Sequence, residues 1–321
     1  MITVTGSLAF DHIMDFPGKF SDHIMPDKIH QINLSFLVNT LQKQKGGTAG
    51  NIAYNLALLK NPVSILGAAG SDFAKYGQFL KNAGVDVSGI KIVDGESTSS
   101  AFITTDLKDN QLAAFYPGAM NQVHTVSIPP DSDFAVISPT TPEAMAKFVR
   151  ECKRNNIPYL YDPGMNLPRI SAADLKEGTE GATILIGNDY EISLLCDKLK
   201  VTSNKLLEQV KILITTLGEK GSIIQSASLP DSPSRSPGPP GRWLIKAAKP
   251  QQVMDPTGAG DAYRAGFLAG YLKGLDLKIC GQMGSVAACY TVEKYGTTNH
   301  KFSLAEFKSR YRENFGEDLN V

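Results

Sequence analysis

"DPTGAGDAYRAGF" (Asp255–Phe267) sets two glycines, Gly258 and Gly260, and a carboxylate, Asp261, against the start of an apolar helical pattern. Glycine lets a backbone take positive φ and come close to a ligand. The first amides of a helix have no internal acceptors, and the helix dipole leaves partial positive charge there. Together these features make an anion site. A carboxylate would compete with an anion at such a place unless it acts as a base. A base beside an anion hole can take a proton from a hydroxyl while the hole steadies the charge on a transferring phosphoryl group. A simpler reading stands beside this one: Thr257 caps the helix, the glycines make a tight turn, and Asp261 complements the dipole. The stretch is neither a GxxxxGK[ST] loop nor a GxGxxG turn after an early strand.

Upstream, short β-rich apolar runs recur at Ile2–Thr5, Val63–Leu66, Phe134–Ile137, Tyr159–Tyr161, Thr183–Ile186 and Ile212–Thr215. Near-continuous runs of this kind suit strands buried on both faces of a parallel sheet. Helical segments are expected between and after them, at Ala49–Leu59, Asp72–Ala83, Glu143–Asn155, Asp189–Lys198 and Asp261–Lys273. The alternation predicts a layered α/β fold with a mostly parallel central sheet. Phe16–Asn39 and Ser97–Tyr116 break the rhythm, the second with alternating strands, and a small antiparallel sheet projecting from the main body would absorb both. The expected organisation is one domain over 1–321, with lid segments at about 12–40 and 95–118. Residues 227–242, rich in Pro and Ser, are expected to form a flexible surface loop.

Composition narrows the function classes. The 321 residues include 32 basic and 32 acidic side chains and are 42% hydrophobic, enough for a sizeable core without a basic face for nucleic acid. Cys152, Cys196, Cys280 and Cys289 have no CxxC spacing, which suits a reduced cytoplasmic chain. The apolar runs are too short to cross a bilayer, and the N-terminus lacks a signal-peptide pattern. The five histidines show no paired ligand spacing, so no zinc site is expected.

The stretch Asp255–Phe267, together with "KGGTAGNIAYNLALL" (Lys45–Leu59), "NDYE" (Asn188–Glu191) and "TTLGEKG" (Thr215–Gly221), resembles the PfkB, or ribokinase-like, family of sugar and nucleoside kinases. The resemblance covers nearly the whole chain. Within that family "VTGSLAFDHIMDFPGKFSD" (Val4–Asp22), "INLSFLV" (Ile32–Val38) and "AAFYPGAM" (Ala113–Met120) are similar to bacterial adenosine kinases of the mycobacterial type. Tyr263 stands where the family commonly has phenylalanine. The resemblance implies a three-layer α/β/α domain with a β-sheet lid, and a homodimer formed through that lid. It implies ATP and Mg²⁺ as cofactors, leaves room for a monovalent cation such as K⁺, and makes Asp261 the base and Gly258–Gly260 the anion hole.

The remaining candidates divide between local chemistry and resemblance. Asp11 follows the first strand, where open α/β sheets bind ligands, and a carboxylate there accepts from two neighbouring hydroxyls, as on a ribose. Its alternative is a turn aspartate. Gly46 and Gly47 would let backbone approach the sugar, and Asn51 in the following helix would bond a hydroxyl, although a glycine-rich loop before a helix needs no ligand. The resemblance places Ser7 and Ser35 beside the nucleoside. Phe36, Phe102 and Phe115 offer faces for a purine, against the alternative of core packing. Arg169 is expected near the transferred phosphate or else solvated. Asn188 and Glu191 match the family's NxxE motif, with Glu191 reaching Mg²⁺ through water, but the pair also reads as a capping box. Thr216, Gly218 and Gly221 match the ATP-contacting turn. The expected reaction phosphorylates the 5′-hydroxyl of adenosine to AMP. A sugar kinase of the same fold and a non-catalytic nucleoside-binding module are the rivals.

Overall fold

A computed structural model of the chain describes residues 1–24, 33–108, 110–226 and 241–320. Its strands are β1 (Ile2–Thr5), β2 (Ala9–Asp15), β3 (Thr40–Gly46), β4 (Val63–Gly70), β5 (Ile90–Val93), β6 (Ser99–Thr105), β7 (Gln111–Tyr116), β8 (Phe134–Ile137), β9 (Tyr159–Tyr161), β10 (Ile184–Asn188), β11 (Ile212–Thr216), β12 (Ser222–Ser226) and β13 (Gly241–Ile245). Its helices are α1 (Thr48–Leu58), α2 (Ala74–Asn82), α3 (Pro142–Arg154), α4 (Ala172–Thr179), α5 (Asp189–Leu199), α6 (Ser203–Leu207), α7 (Ala259–Leu272), α8 (Leu277–Val292) and α9 (Leu304–Phe315).

Nine strands make one sheet in the order β13-β12-β11-β10-β9-β8-β1-β4-β5. Every pairing from β11 through to β5 is parallel, and β12 and β13 close one edge as an antiparallel pair. Alternation along the central strands divides the interior in two. Phe134 and Val136 join Val4, Ile184 and Ile214 in a core covered by α1, α7 and α8. Their neighbours Ala135 and Ile137 join Tyr161, Leu185 and Leu213 beneath α3, α4 and α5. A sheet buried on both faces needs apolar residues at successive positions, which is why these strands read as continuous runs. The result is the expected three-layer, mostly parallel architecture.

The second sheet runs β3-β2-β6-β7. β2 pairs antiparallel with β3 and parallel with β6, and β6 pairs antiparallel with β7. Two of its strands flank the segment expected to supply them: β2 begins at Ala9 and β3 ends at Gly46. β3 reads "TLQKQKG", polar on both faces, so it lacks the apolar alternation by which a strand is recognised. Residues 25–32 of the first lid segment lie outside the described residues, as do residues 227–240 of the expected Pro- and Ser-rich loop; Gly241 and Arg242 open β13. Among the described residues no helix is long and apolar enough to cross a membrane.

α7 and α8 pack backbone to backbone through glycines. A Cβ built on Gly266 would lie 2.5 Å from the Met283 carbonyl oxygen, and one on Gly284 would lie 2.9 Å from that of Tyr263. Their close approach seats the N-terminus of α7, and so Asp261, at the C-terminal edge of the sheet. Gly266→Ala should overpack this contact and cost about 1–3 kcal/mol. The check is a lower urea midpoint at unchanged m-value; an unchanged midpoint would show that the helices separate freely.

Candidate active site

The site begins where β1 ends. The Ser7 hydroxyl accepts the Thr48 amide at 3.1 Å, and the Ser7 amide donates to Thr48 Oγ1 at 3.3 Å. Gly47, the cap of α1, has φ 91°, and a Cβ there would meet the Ser7 carbonyl oxygen at 2.5 Å. Glycine is required on both counts. This exchange docks α1 on β1, so Ser7 has a clear structural task besides any contact with a ligand.

Docking α1 aims Asn51 at α7. Asn51 Nδ2 donates to Asp261 Oδ2 at 2.8 Å, and Asn51 Oδ1 accepts from the Thr297 hydroxyl at 2.7 Å. Asn51, expected to face a substrate hydroxyl, therefore has its side chain engaged by the acid instead. The cap of α7 is Gly258, at φ 79° and ψ −3°, with no side-chain hydrogen bond, so Thr257 does not cap the helix. Asp255 braces the turn: Oδ1 accepts the Thr257 amide at 2.9 Å and Oδ2 the Gly296 amide at 3.0 Å. The Ala259 amide donates to the Pro256 carbonyl at 3.2 Å, whereas those of Gly258, Gly260 and Asp261 meet no backbone acceptor among the described residues. Among the described residues three amides at this helix mouth thus have no protein acceptor.

Around them lies a buried charged cluster that the sequence reading did not assemble. Arg264, one turn beyond Asp261, ion-pairs with Asp162 beyond β9 at 2.6 Å, both side chains being buried. A Cβ on Gly260 would come within 2.8 Å of Arg264 Nη1, which gives the second glycine its own reason. Burial pushes Asp261 up to about 6, with Asp162 and Asp11 adding to it and Arg264 and the Asn51 bond opposing. Asp11, on β2, is likewise pushed up to about 6, first by burial and then by Asp255. Gly46 faces it across the strand pair, where a side chain would collide with the Asp11 carboxylate. Burial also raises Glu191, with Asp162 adding and the Asn188 amide and Arg264 opposing. Asp255, Asp162, Arg264 and Thr297 were all missed as site residues. Asp255 and Arg264 lay inside the quoted motif; nothing local marks Asp162 or Thr297.

Asn188 and Glu191 form a full capping box on α5, with both bonds at 2.8 Å. Thr216 Oγ1 reaches only the Gly187 carbonyl, at 3.5 Å. Gly218, at φ 59°, leaves open space where a Cβ would stand, whereas Gly221, at φ 95°, abuts the Ile245 carbonyl and closes the β11–β12 turn. Arg169 is exposed and makes no side-chain bond to these groups among the described residues; the guanidinium beside Asp261 belongs to Arg264.

Register divides the aromatic set between the two faces of the lid sheet. Asp11 and Ala101 are partners, and Ala101 lies opposite Phe115, so Phe115 shares the face of Asp11. Phe102 partners His12 on the other face and stacks on it with ring centroids 4.7 Å apart. Phe36 packs among Phe16, Phe20 and His23 at 4.8, 5.1 and 5.8 Å, and Ser35 is exposed. A strand alternates faces residue by residue, so spacing along β6 and β7 had to be combined with pairing before either ring could be assigned.

No group of three or more His, Cys, Asp or Glu side chains forms a ready metal cage among the described residues. Mg²⁺ needs less: one or two carboxylates, with phosphate oxygens and waters completing the octahedron. Asp162 Oδ1 is buried with no hydrogen-bond partner, and Glu191 stands in the same field, so the donor set fits that ion.

A nucleoside kinase of Methanothermobacter thermautotrophicus is 31% identical, the match covering 98% of this chain and 96% of the relative. One from Methanocaldococcus jannaschii is 33% identical over 92% and 91% of the two chains. The structure of Burkholderia thailandensis nucleoside kinase in complex with inosine superposes with a TM-score of 0.86, at 34% identity and 99% coverage of both chains. The same enzyme in complex with ADP-inosine gives 0.85. These relatives carry the broader name of nucleoside kinase, not adenosine kinase, so the resemblance to mycobacterial-type adenosine kinases is narrower than the likenesses reach. The pfkB family carbohydrate kinase profile matches residues 8–302, and the chain belongs to that family.

Proposed function

We propose that this protein transfers the γ-phosphoryl group of ATP to the 5′-hydroxyl of a purine nucleoside, with adenosine as its expected acceptor. The observation that carries the reading is Asp261. One carboxylate oxygen is held by Asn51 at 2.8 Å, and the group sits at a helix mouth with free amides. The other oxygen takes the proton of the 5′-hydroxyl. The Gly258, Gly260 and Asp261 amides then face the charge on the transferring group, with the Arg264 guanidinium behind them. Asp11 accepts from the ribose hydroxyls, and Gly46 and Gly47 let the sugar approach. Phe115 lies under the base. Thr216 and Gly218 border the ATP, as in the family's turn. Mg²⁺, when bound, neutralises the phosphate oxygens; Asp162 and Glu191 would hold it, Glu191 through water.

A purine acceptor is supported by the inosine complex of the Burkholderia relative. Inosine differs from adenosine only at the C6–N1 edge, where an oxo group replaces the amino group and N1 carries a proton, so the two are the acceptors to compare first. The outer face of the lid carries Phe102, Leu112 and Tyr116, which are 43%, 43% and 48% exposed. A second copy covering that face would give the homodimer implied by the family resemblance.

Asp261→Asn preserves shape and removes basicity. Turnover should fall about 10²–10⁴-fold with nucleoside affinity retained; wild-type turnover would end the assignment. The base must be ionised, so kcat should rise with pH through about 6 and level off above it. A pH–rate profile without that acid limb would contradict the role.

Coupled ADP release over adenosine, inosine, cytidine, ribose and fructose tests the acceptor. In that panel Phe115→Ala should lower the adenosine-to-ribose ratio of kcat/KM by the equivalent of about 1–3 kcal/mol of stacking. Phe102→Ala, on the opposite face, should leave the ratio unchanged. Equal effects from both would place neither ring under the base.

A further inference from the structure

The chain returns to the site through residues 296–299, between α8 and α9. The Gly296 amide holds Asp255, and Asn299 Nδ2 donates to Gln44 Oε1 on β3 at 2.9 Å. Between them Thr297 is buried, and a Cβ on Gly258 would lie 2.9 Å from Thr297 Cβ. The Thr297 hydroxyl lies 2.7 Å from Asn51 Oδ1 and 2.9 Å from the Lys45 carbonyl oxygen. One residue therefore touches the anion-hole turn, the end of β3 and the partner of Asp261.

The donor and acceptor inventory decides how this chain of bonds is polarised. An ionised carboxylate only accepts, so Asn51 must present its NH₂ group to Asp261 and its carbonyl to Thr297. A hydroxyl has a single proton. Donated to Asn51 Oδ1, it locks the amide in that orientation. Without a donor there, only the carboxylate holds the amide's orientation, and once Asp261 is protonated the flipped amide is an equal partner, its carbonyl accepting the acid's proton, so the ionised form loses its advantage. We propose that Thr297 is a positioning residue for phosphoryl transfer. By donating to Asn51 it holds Nδ2 on Asp261 Oδ2 and leaves Oδ1 to receive the acceptor's proton. The inference rests on Asp261 being the base. The other groups facing Asp261 are Arg264 on α7, Asp162 beyond β9, Asp11 on β2 and Tyr76 on α2. None of them bonds to Thr297, so changing that hydroxyl leaves them in place.

Thr297→Val keeps the branched shape and removes the hydroxyl; Thr297→Ser keeps the hydroxyl. Losing the donor weakens the hold on ionised Asp261, so the acid limb of the kcat profile in T297V should move up by about one pH unit. Turnover below the limb then falls about tenfold, while the alkaline plateau and nucleoside KM stay within about twofold. T297S should restore the wild-type limb. Thr297→Ala carries the same expectation if the valine variant does not fold, and thermal midpoints are recorded for all. A loss of equal factor at every pH, or one that T297S shares, would make the role structural and overturn the inference. D261N with wild-type turnover would remove the base itself. D261N inactive, with the T297V limb unmoved, would remove only the role of Thr297.

Discussion

One amide–carboxylate bond joins the two helix mouths that build this site. Asn51 Nδ2 reaches Asp261 Oδ2 at 2.8 Å across 210 positions of sequence. Its geometry depends on almost everything around it. α1 must dock through Ser7 and Gly47, α7 must turn through Gly258, and Thr297 must come back from the C-terminal region to hold the far side of the amide. A displacement of any of these by an ångström would open the bond, which is how packing distant from the chemistry can govern its rate.

Among the described residues the site gathers several carboxylates, fully or partly buried, around the guanidinium of Arg264. Asp11 and Asp261 are both pushed up to about 6 by burial, and Glu191 is raised as well. The Asp162–Arg264 pair offsets part of this, and removing either partner would leave an uncompensated buried charge at a cost of about 3–5 kcal/mol. The rest leaves carboxylates chemically able to accept from protons, hydroxyls or cations. Asp11 and Asp261, at about 6, sit above their ordinary range yet near enough to neutrality to exchange a proton at physiological pH.

The lid shows how a one-residue alternation decides which ring shares the face of the site. Phe115 and Phe102 are both aromatic, both about half-exposed and both on adjacent strands, yet only Phe115 shares the face of Asp11. The opposite face exposes Phe102, Leu112 and Tyr116, with His12 stacked beneath Phe102. An edge-bearing sheet of this kind is poorly protected alone.

Strands β1, β4, β8, β9, β10 and β11, helices α1, α2, α3, α5 and α7, the parallel character of the sheet and the glycine–acid helix mouth were legible in the sequence, whereas β5, β12, β13, α4, α6, α8 and α9 were not read from it. The legible features are local properties: continuous apolar runs mark strands buried on two faces, and glycines before a periodic segment mark a turn that enters a helix. β3 was not legible, because neither of its faces is apolar, and its partner strands were legible only in outline. Arg169 against Arg264, Phe102 against Phe115, and the partnership of Asn51 with Asp261 instead of a ligand were decided by tertiary structure alone. Each depends on which of two chemically equivalent groups is carried to one point in space by strand register and helix docking. No residue's neighbours along the chain record that, because Asn51, Asp162, Asp261 and Thr297 meet only after the sheet has formed and α1 and α7 have packed across it.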